Sequence, residues 1–287
     1  MAMIKLPTAS QTYFDSHYRE IFSSGNLAEG KWNRALGELG CSYTSASLGL
    51  AVNSNGAGIF AILNVLKHYR QKKRIFLQSN TMYGVKTIAY SSGLEISGFV
   101  DSSLNNLLMP TIDNVKQFVE KLDSPEENVF LITHIGGWVN PDIKEIAEYC
   151  KKQNILLLED CAHSYGSLLD GQHTGLFGDA GVYSFYSTKA VPVGEGGVLV
   201  TNDDDIQYRA SKFIIYDRFD QKLNLGVNFR MSEINALFAY SVIKESEEII
   251  ENKMNIAGEY SKIADKNGWL YQDANIENQR SNLYKFI

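Results

Sequence analysis

Ile155-Leu-Leu-Leu-Glu-Asp-Cys-Ala-His163 is a continuous apolar run that ends in two acids. Four aliphatic residues without polar alternation predict a strand buried on both faces, at residues 155–158, opening into a loop. Such strands belong to parallel sheets covered by helices. Carboxylates at the C-terminal end of one face the crevice where open α/β sheets bind ligands, which places Asp160 for chemistry. An aspartate there can also cap a following helix, and one side chain can serve both purposes.

Outward from this strand the chain alternates. Strand-like runs fall near residues 49–52, 74–78, 95–100, 129–133, 181–185 and 198–201, with helical stretches between most of them. The pattern predicts a mainly parallel α/β sheet flanked by helices, with one antiparallel hairpin formed by the last two runs. After Met231 the pattern changes. Ser232 with Glu233, and apolar residues at Ile234, Leu237, Phe238, Val242, Ile249 and Ile250, read as one or two helices to about residue 265.

Lys189 sits in that hairpin, in Gly181-Val-Tyr-Ser-Phe-Tyr-Ser-Thr-Lys-Ala-Val-Pro-Val-Gly-Glu-Gly-Gly197. By itself it reads as a solvated surface charge. In an apolar or cationic setting a lysine becomes a nucleophile toward carbonyls, and Schiff bases with pyridoxal phosphate (PLP) are the commonest use of that reactivity. PLP chemistry also needs an acid against the pyridine nitrogen, a role open to Asp160. A third segment, Leu48-Gly-Leu-Ala-Val-Asn-Ser-Asn-Gly-Ala-Gly-Ile-Phe-Ala-Ile-Leu63, reads as strand, tight turn and helix. The unpaired N–H groups and dipole of a helix N-terminus make it a plausible phosphate cradle, although such turns recur in proteins that bind no phosphate.

Taken in order, these segments resemble the DegT/DnrJ/EryC1/StrS family of PLP-dependent sugar aminotransferases, which have the type I aminotransferase fold. The resemblance also runs through Phe22-Ser-Ser-Gly-Asn-Leu-Ala-Glu-Gly30, Thr133-His-Ile-Gly-Gly137, Gly178-Asp-Ala-Gly181 and Gly226-Val-Asn-Phe-Arg-Met-Ser-Glu233. It implies that Lys189 is the Schiff-base lysine and that Asp160 pairs with the pyridinium nitrogen. His163 falls where the family has Gln or His beside the cofactor. Ser184, Asn55 and Gly56 match the phosphate-binding residues, and Asn228 matches an asparagine reaching the phosphate from the neighbouring subunit of a homodimer. The implied reaction moves an amino group, usually from glutamate, to the keto group of a nucleotide-linked deoxysugar. Gly194–Gly197 hints at the C4 rather than the C3 position. The sugar dehydratase branch replaces the lysine by histidine, which Lys189 disfavours.

Three departures stand beside the resemblance. Asn55-Gly56 replaces the family's Gly-Thr pair and removes a hydroxyl from the phosphate site. The ring-stacking position falls on Met82, with Tyr83 next to it, so either a sulfur contact or a one-residue shift would serve. Family members also continue into a smaller C-terminal domain. Here residues 1–240 read as the PLP-binding large domain and 241–287 as a connecting helix and the start of an incomplete small domain. Ser281-Asn-Leu-Tyr-Lys-Phe-Ile287 reads as that domain's first strand, a free edge. A truncation, a fragment or a completing partner chain would each account for this. The last leaves open a catalytically silent PLP-binding or regulatory subunit.

Composition bounds the remaining classes. Over 287 residues, 44% hydrophobic and 21% charged is ordinary for a globular enzyme, and a net charge of −6 argues against a nucleic-acid partner. The basic run Lys67-His-Tyr-Arg-Gln-Lys-Lys-Arg74 reads as a solvated helix end. Cys41, Cys150 and Cys161 have no paired ligand spacing and suggest reduced thiols in a cytoplasmic protein, and no metal site is expected, since His163 and His173 are separated by a turn. No apolar run of membrane-spanning length and no export signal is visible.

Overall fold

The computed structural model describes residues 4–222, 225–272, 276 and 278–286. Its strands are β1 (Leu48–Val52), β2 (Arg74–Gln78), β3 (Glu95–Val100), β4 (Asn128–Thr133), β5 (Leu156–Cys161), β6 (Leu168–Leu169), β7 (Gln172–His173), β8 (Ala180–Ser184), β9 (Gly197–Thr201) and β10 (Gln279–Arg280). Its α-helices are α1 (Thr8–Ser24), α2 (Lys31–Thr44), α3 (Asn55–Tyr69), α4 (Tyr83–Ser91), α5 (Ile112–Val119), α6 (Ile143–Lys152), α7 (Asp204–Phe213), α8 (Glu233–Ile243) and α9 (Ser246–Asn267).

Seven strands form one sheet in the order β1-β9-β8-β5-β4-β2-β3. All neighbours from β8 to β3 are parallel, and β9 runs antiparallel between β8 and β1. The expected mainly parallel sheet with one antiparallel hairpin is therefore present. The predicted strand positions agree closely, and the main difference is at β5, which starts at Leu156 and continues through Asp160 to Cys161. Asp160 thus lies within the ladder and not in a loop. Its carboxylate accepts from Ala162 N at 3.1 Å, closing a local turn, and no helix follows for it to cap.

Side-chain alternation sorts the strands onto two faces. Val129 and Leu131, Leu158, Ala180 and Val182 face α3, where Ile59, Ile62, Leu63 and Leu66 complete a buried cluster. Phe130, Ile132 and Leu157 point the other way, against Ile143 and Ile146 of α6. Each Val, Leu, Ile and Phe among these side chains contributes about 1.5–3 kcal/mol when fully buried. On that second face α2 lies so close to β1 that a Cβ on Gly49 would stand 2.3 Å from Gly37 O, so both positions need glycine.

α8 and α9 match the helices expected after Met231, and Ser232 Oγ accepts from Asn235 N at the start of α8. The C-terminal tail does not match its expectation. β10 pairs with β6, and residues 281–286 are not strand but are hydrogen-bonded to Gly136 O and Gly137 O after β4 and to Ser167 Oγ before β6, while Ile287 lies outside the described residues. The backbone N–H groups of Asn282 and Lys285 thus find acceptors outside any ladder. The basic run is likewise only partly solvated. Arg70 bridges Asp203 and Asp205, while Lys72 is 7% exposed and donates to Glu126 O at 2.6 Å and Asn154 O at 2.7 Å. Burial lowers the Lys72 pKa, and the two carbonyls replace its lost water.

Candidate active site

The last inward residues of three adjacent strands meet at one end of the sheet, on the α3 face. Thr133 of β4 pairs in register with Asp160 of β5, Asp160 with Val182 of β8, and Ser184 ends β8 two residues further on. Register therefore places Thr133 and Asp160 side by side on this face, with Ser184 one repeat further along it. Ser54 caps α3, its Oγ accepting from Ala57 N at 3.1 Å. The N–H groups of Asn55 and Gly56 in that first turn have no intrahelical acceptor. A Cβ on Gly197, which pairs with Ser184, would come within 2.8 Å of Asn55 N, so the glycine lets the helix start close beside the serine. The result is an anion cradle of helix N-terminus and hydroxyl.

Lys189 follows β8 in a turn held by Lys189 N donating to Tyr186 O at 2.8 Å and Ser187 N donating to Gly194 O at 3.0 Å. Gly194 has φ +92°, a conformation suited to glycine. The turn folds Lys189 inward, and it is only 7% exposed, against the surface position that its sequence context alone would suggest. Asp160 is 2% exposed. Burial pushes its carboxyl up from the ordinary range, opposed by the Ala162 N–H, the Lys189 charge and the Asn55 amide. A buried amine and a buried acid beside an anion cradle form an arrangement suited to carbonyl chemistry on a phosphorylated ligand.

His163 lies beside them. Its Nδ1 accepts from Gly136 N at 3.4 Å. Burial, with the charges of Lys189 and Lys285, pushes its pKa down to about 3, which leaves a neutral imidazole near pH 7. The Asn55 side chain turns inward, its Nδ2 donating to Asp160 Oδ1 at 3.1 Å and Val182 O at 2.7 Å. Met82 and Tyr83 stand 55% and 80% exposed at the start of α4. Among the described residues no contact joins either one to Lys189 or Asp160. Asn228 is also exposed, with its Oδ1 accepting from Arg230 N at 3.4 Å, and it makes no contact with the cluster.

Sequence reading missed several residues that hold the site. Thr133 Oγ1 reaches Asp160 Oδ2 at 3.4 Å and Thr81 Oγ1 at 2.8 Å. Glu159, on the opposite face of β5, accepts from Gly175 N, Phe177 N and Gly178 N at 2.7–2.8 Å and from His134 Nε2 at 2.8 Å. His134 Nδ1 accepts from Asn140 N, which places the ring proton on Nε2. With Cys161 these two form a compact buried trio of metal-ligand types. Every carboxylate oxygen of Glu159 is already in use, and burial and Glu159 push the Cys161 thiol well up, so the trio reads as a structural lock. A strand that buries consecutive acids on opposite faces was the available signal.

The sequence pattern of the DegT/DnrJ/EryC1/StrS aminotransferase family matches residues 10–287. The chain belongs to this family. GDP-perosamine synthase of Escherichia coli O157:H7 is 30% identical over 184 residues, which are 62% of this chain and 48% of that protein. This family chain spans about half the length of the curated relatives it matches. Among solved structures, the aminotransferase TlmJ from Streptoalloteichus hindustanus aligns with a TM-score of 0.85 at 23% identity, covering 98% of this chain and 76% of that one. PseC from Helicobacter pylori, an aminotransferase involved in the biosynthesis of pseudoaminic acid, gives 0.85 at 19% identity, with 99% and 76% covered. The fold is thus the type I aminotransferase fold. No helix among the described residues is long and apolar enough to cross a membrane.

Proposed function

We propose that the chain supplies the PLP-holding part of a cytoplasmic aminotransferase that transfers an amino group, from glutamate, to the keto group of a nucleotide-linked deoxysugar, with C4 favoured over C3. The observation that carries this reading is the convergence of buried Lys189 and buried Asp160 beside Ser184 and the α3 N-terminus. The donor set fits PLP. Ser184 Oγ and the first-turn N–H groups of Asn55 and Gly56 would hold the phosphate, and Lys189 Nζ would hold the cofactor covalently. Asp160 would keep a proton on the pyridine nitrogen, and neutral His163 would lie beside the ring.

When bound, PLP supplies an electron sink for charge developing at the donor carbon. Lys189 Nζ, once displaced by the donor's amine, would take the proton from the donor's Cα and pass it on to the cofactor, and its burial would exclude water from that transfer. Met82 or Tyr83 would cover the ring, and Asn228 would reach the phosphate of a second copy in a homodimer. Leu27, Tyr216 and Phe219 stand exposed around the Glu29–Arg218 and Glu29–Arg230 ion pairs near Asn228, which supports association there. Residues 1–240 would form the cofactor domain, and 241–287 would lead toward the substrate-covering part. The relative named GDP-perosamine synthase supports a nucleotide-linked sugar as acceptor.

The test is borohydride reduction with PLP followed by peptide mapping, with transamination assayed on nucleotide-linked 4-keto and 3-keto sugars. The expected result is a PLP adduct at Lys189, lost in Lys189→Ala, and glutamate-dependent amination. A chain that binds PLP but stays inert with every keto-sugar would favour a silent, regulatory subunit. A chain that binds none would overturn the reading.

A further inference from the structure

Asp160 receives a donor on each carboxylate oxygen from outside its own strand. Asn55 Nδ2, at the start of α3, reaches Oδ1 at 3.1 Å, and Thr133 Oγ1, at the end of β4, reaches Oδ2 at 3.4 Å. Both donors are themselves pinned. The Asn55 amide is shared with Val182 O at 2.7 Å, and Thr133 is held through Gln78 Oε1, which accepts its backbone N–H at 3.1 Å, and through Thr81 Oγ1 at 2.8 Å. A hydroxyl has one proton, so if Thr133 donates to Asp160 then Thr81 must donate to Thr133. The chain of donation therefore runs from Thr81 to Thr133 to Asp160.

We infer that Asn55 and Thr133 are positioning residues for Asp160, one on each carboxylate oxygen, which set its direction and keep it ionised for a partner cation. The inference rests on the PLP reading above, in which that partner is the protonated pyridine nitrogen. Two physical needs support it. An aspartate carboxyl rotates in a broad, two-fold torsional well, and donors fixed on separate elements remove that freedom. A carboxylate stripped of water also drifts toward its neutral form unless donors replace the water.

The charges around Asp160 do not replace these donors. Lys189 from the β8–β9 turn and His134 after β4 favour the anion. Cys161 on β5, its thiol pushed well up by burial, stays neutral, and the first turn of α3 carries no acid. With Lys189 committed to covalent work, α3 and β4 offer only the amide and the hydroxyl.

Thr133→Val keeps the branched shape and removes the hydroxyl, whereas Thr133→Ser keeps the hydroxyl and removes a methyl; Asn55→Ala removes the amide. The titration of Asp160, followed by carboxyl ¹³C NMR without added PLP, should move upward in Asn55→Ala and Thr133→Val and stay near wild type in Thr133→Ser. PLP dissociation constants at pH 8 should rise about tenfold in the first two. A steric role would make Thr133→Ser the worse substitution, and that order, or an unmoved Asp160 titration in both Asn55→Ala and Thr133→Val, overturns the inference. Because the titration needs no cofactor, the expected shifts in a protein that binds no PLP would uphold the positioning role while removing the PLP reading.

Discussion

The Tyr284 ring packs against that of His163, with centroids 4.6 Å apart and planes 36° from parallel. Lys189 Nζ lies 5.3 Å from the centroid of the same tyrosine ring, so the tail reaches two of the expected site residues. Burial is the main cause of the depressed His163 pKa, and Tyr284 supplies part of that cover. Tyr284→Ala should therefore move the His163 titration up from about 3 toward the ordinary histidine range, readable by ¹⁵N NMR. An unmoved titration would show that the tail does not cover the ring.

Asn282 anchors this tail. Fully buried, it donates from Nδ2 to His163 O and Tyr165 O at 2.8 Å each and accepts Tyr284 N at 2.9 Å. Asn282→Ala leaves two buried carbonyls and one N–H without partners and should cost about 2–4 kcal/mol in urea unfolding. Limited proteolysis should then cut near residues 281–286 faster than in wild type.

Glu233 should be similarly costly to remove. Its carboxylate accepts from Gly30 N, Trp32 N and Asn33 N at 2.9–3.1 Å and so caps α2 from a helix some two hundred residues away. Glu233→Ala should lower stability by about 2–4 kcal/mol, and Glu233→Gln by less, because one carbonyl oxygen still accepts. Equal losses in the two variants would mean that charge, and not acceptor count, carries the cap.

Histidine burial predicts an acid limb of stability. Burial lowers the pKa of His163 to about 3 and that of His173 to about 4. The unfolded chain takes up these two protons from about pH 6.5 downward while the folded chain does not, so stability is lost as pH falls from about 6.5 toward 4. The double variant His163→Gln, His173→Gln should lose this slope in urea midpoints measured at pH 7, 6 and 5. A slope equal to wild type would place the acid sensitivity elsewhere.

Much of the sheet was legible because strands buried on both faces leave unbroken apolar runs, as in 129–133 and 155–158. The place of Asp160 at the C-terminal end of a buried strand was legible too, since it closes such a run. The inward turn of Asn55 was not, because it depends on β5 and β8 lying beneath α3, over a hundred residues away. Glu159 and Glu233 were missed for the same reason. Most of their partners are backbone N–H groups far away in the chain, which the identity of the side chains there does not record. The tail misread as a free strand shows the converse limit: alternation predicts extended backbone but not the surface that receives it.

The one reversed strand of the seven-stranded sheet, β9, ties the spacing of Asp160 and Lys189 to the fold's interior. Asp160 rides on β5 and Lys189 on the return from β8 to β9, so the gap between them is gauged by ladder pairing and not by either side chain. Under the proposed reading, the fit of the site to its cofactor would therefore depend on the packing of Val182 and Leu199, which pair across β8 and β9. A substitution there that loosens the β8–β9 pairing would detune the site while every residue touching the ligand stayed the same.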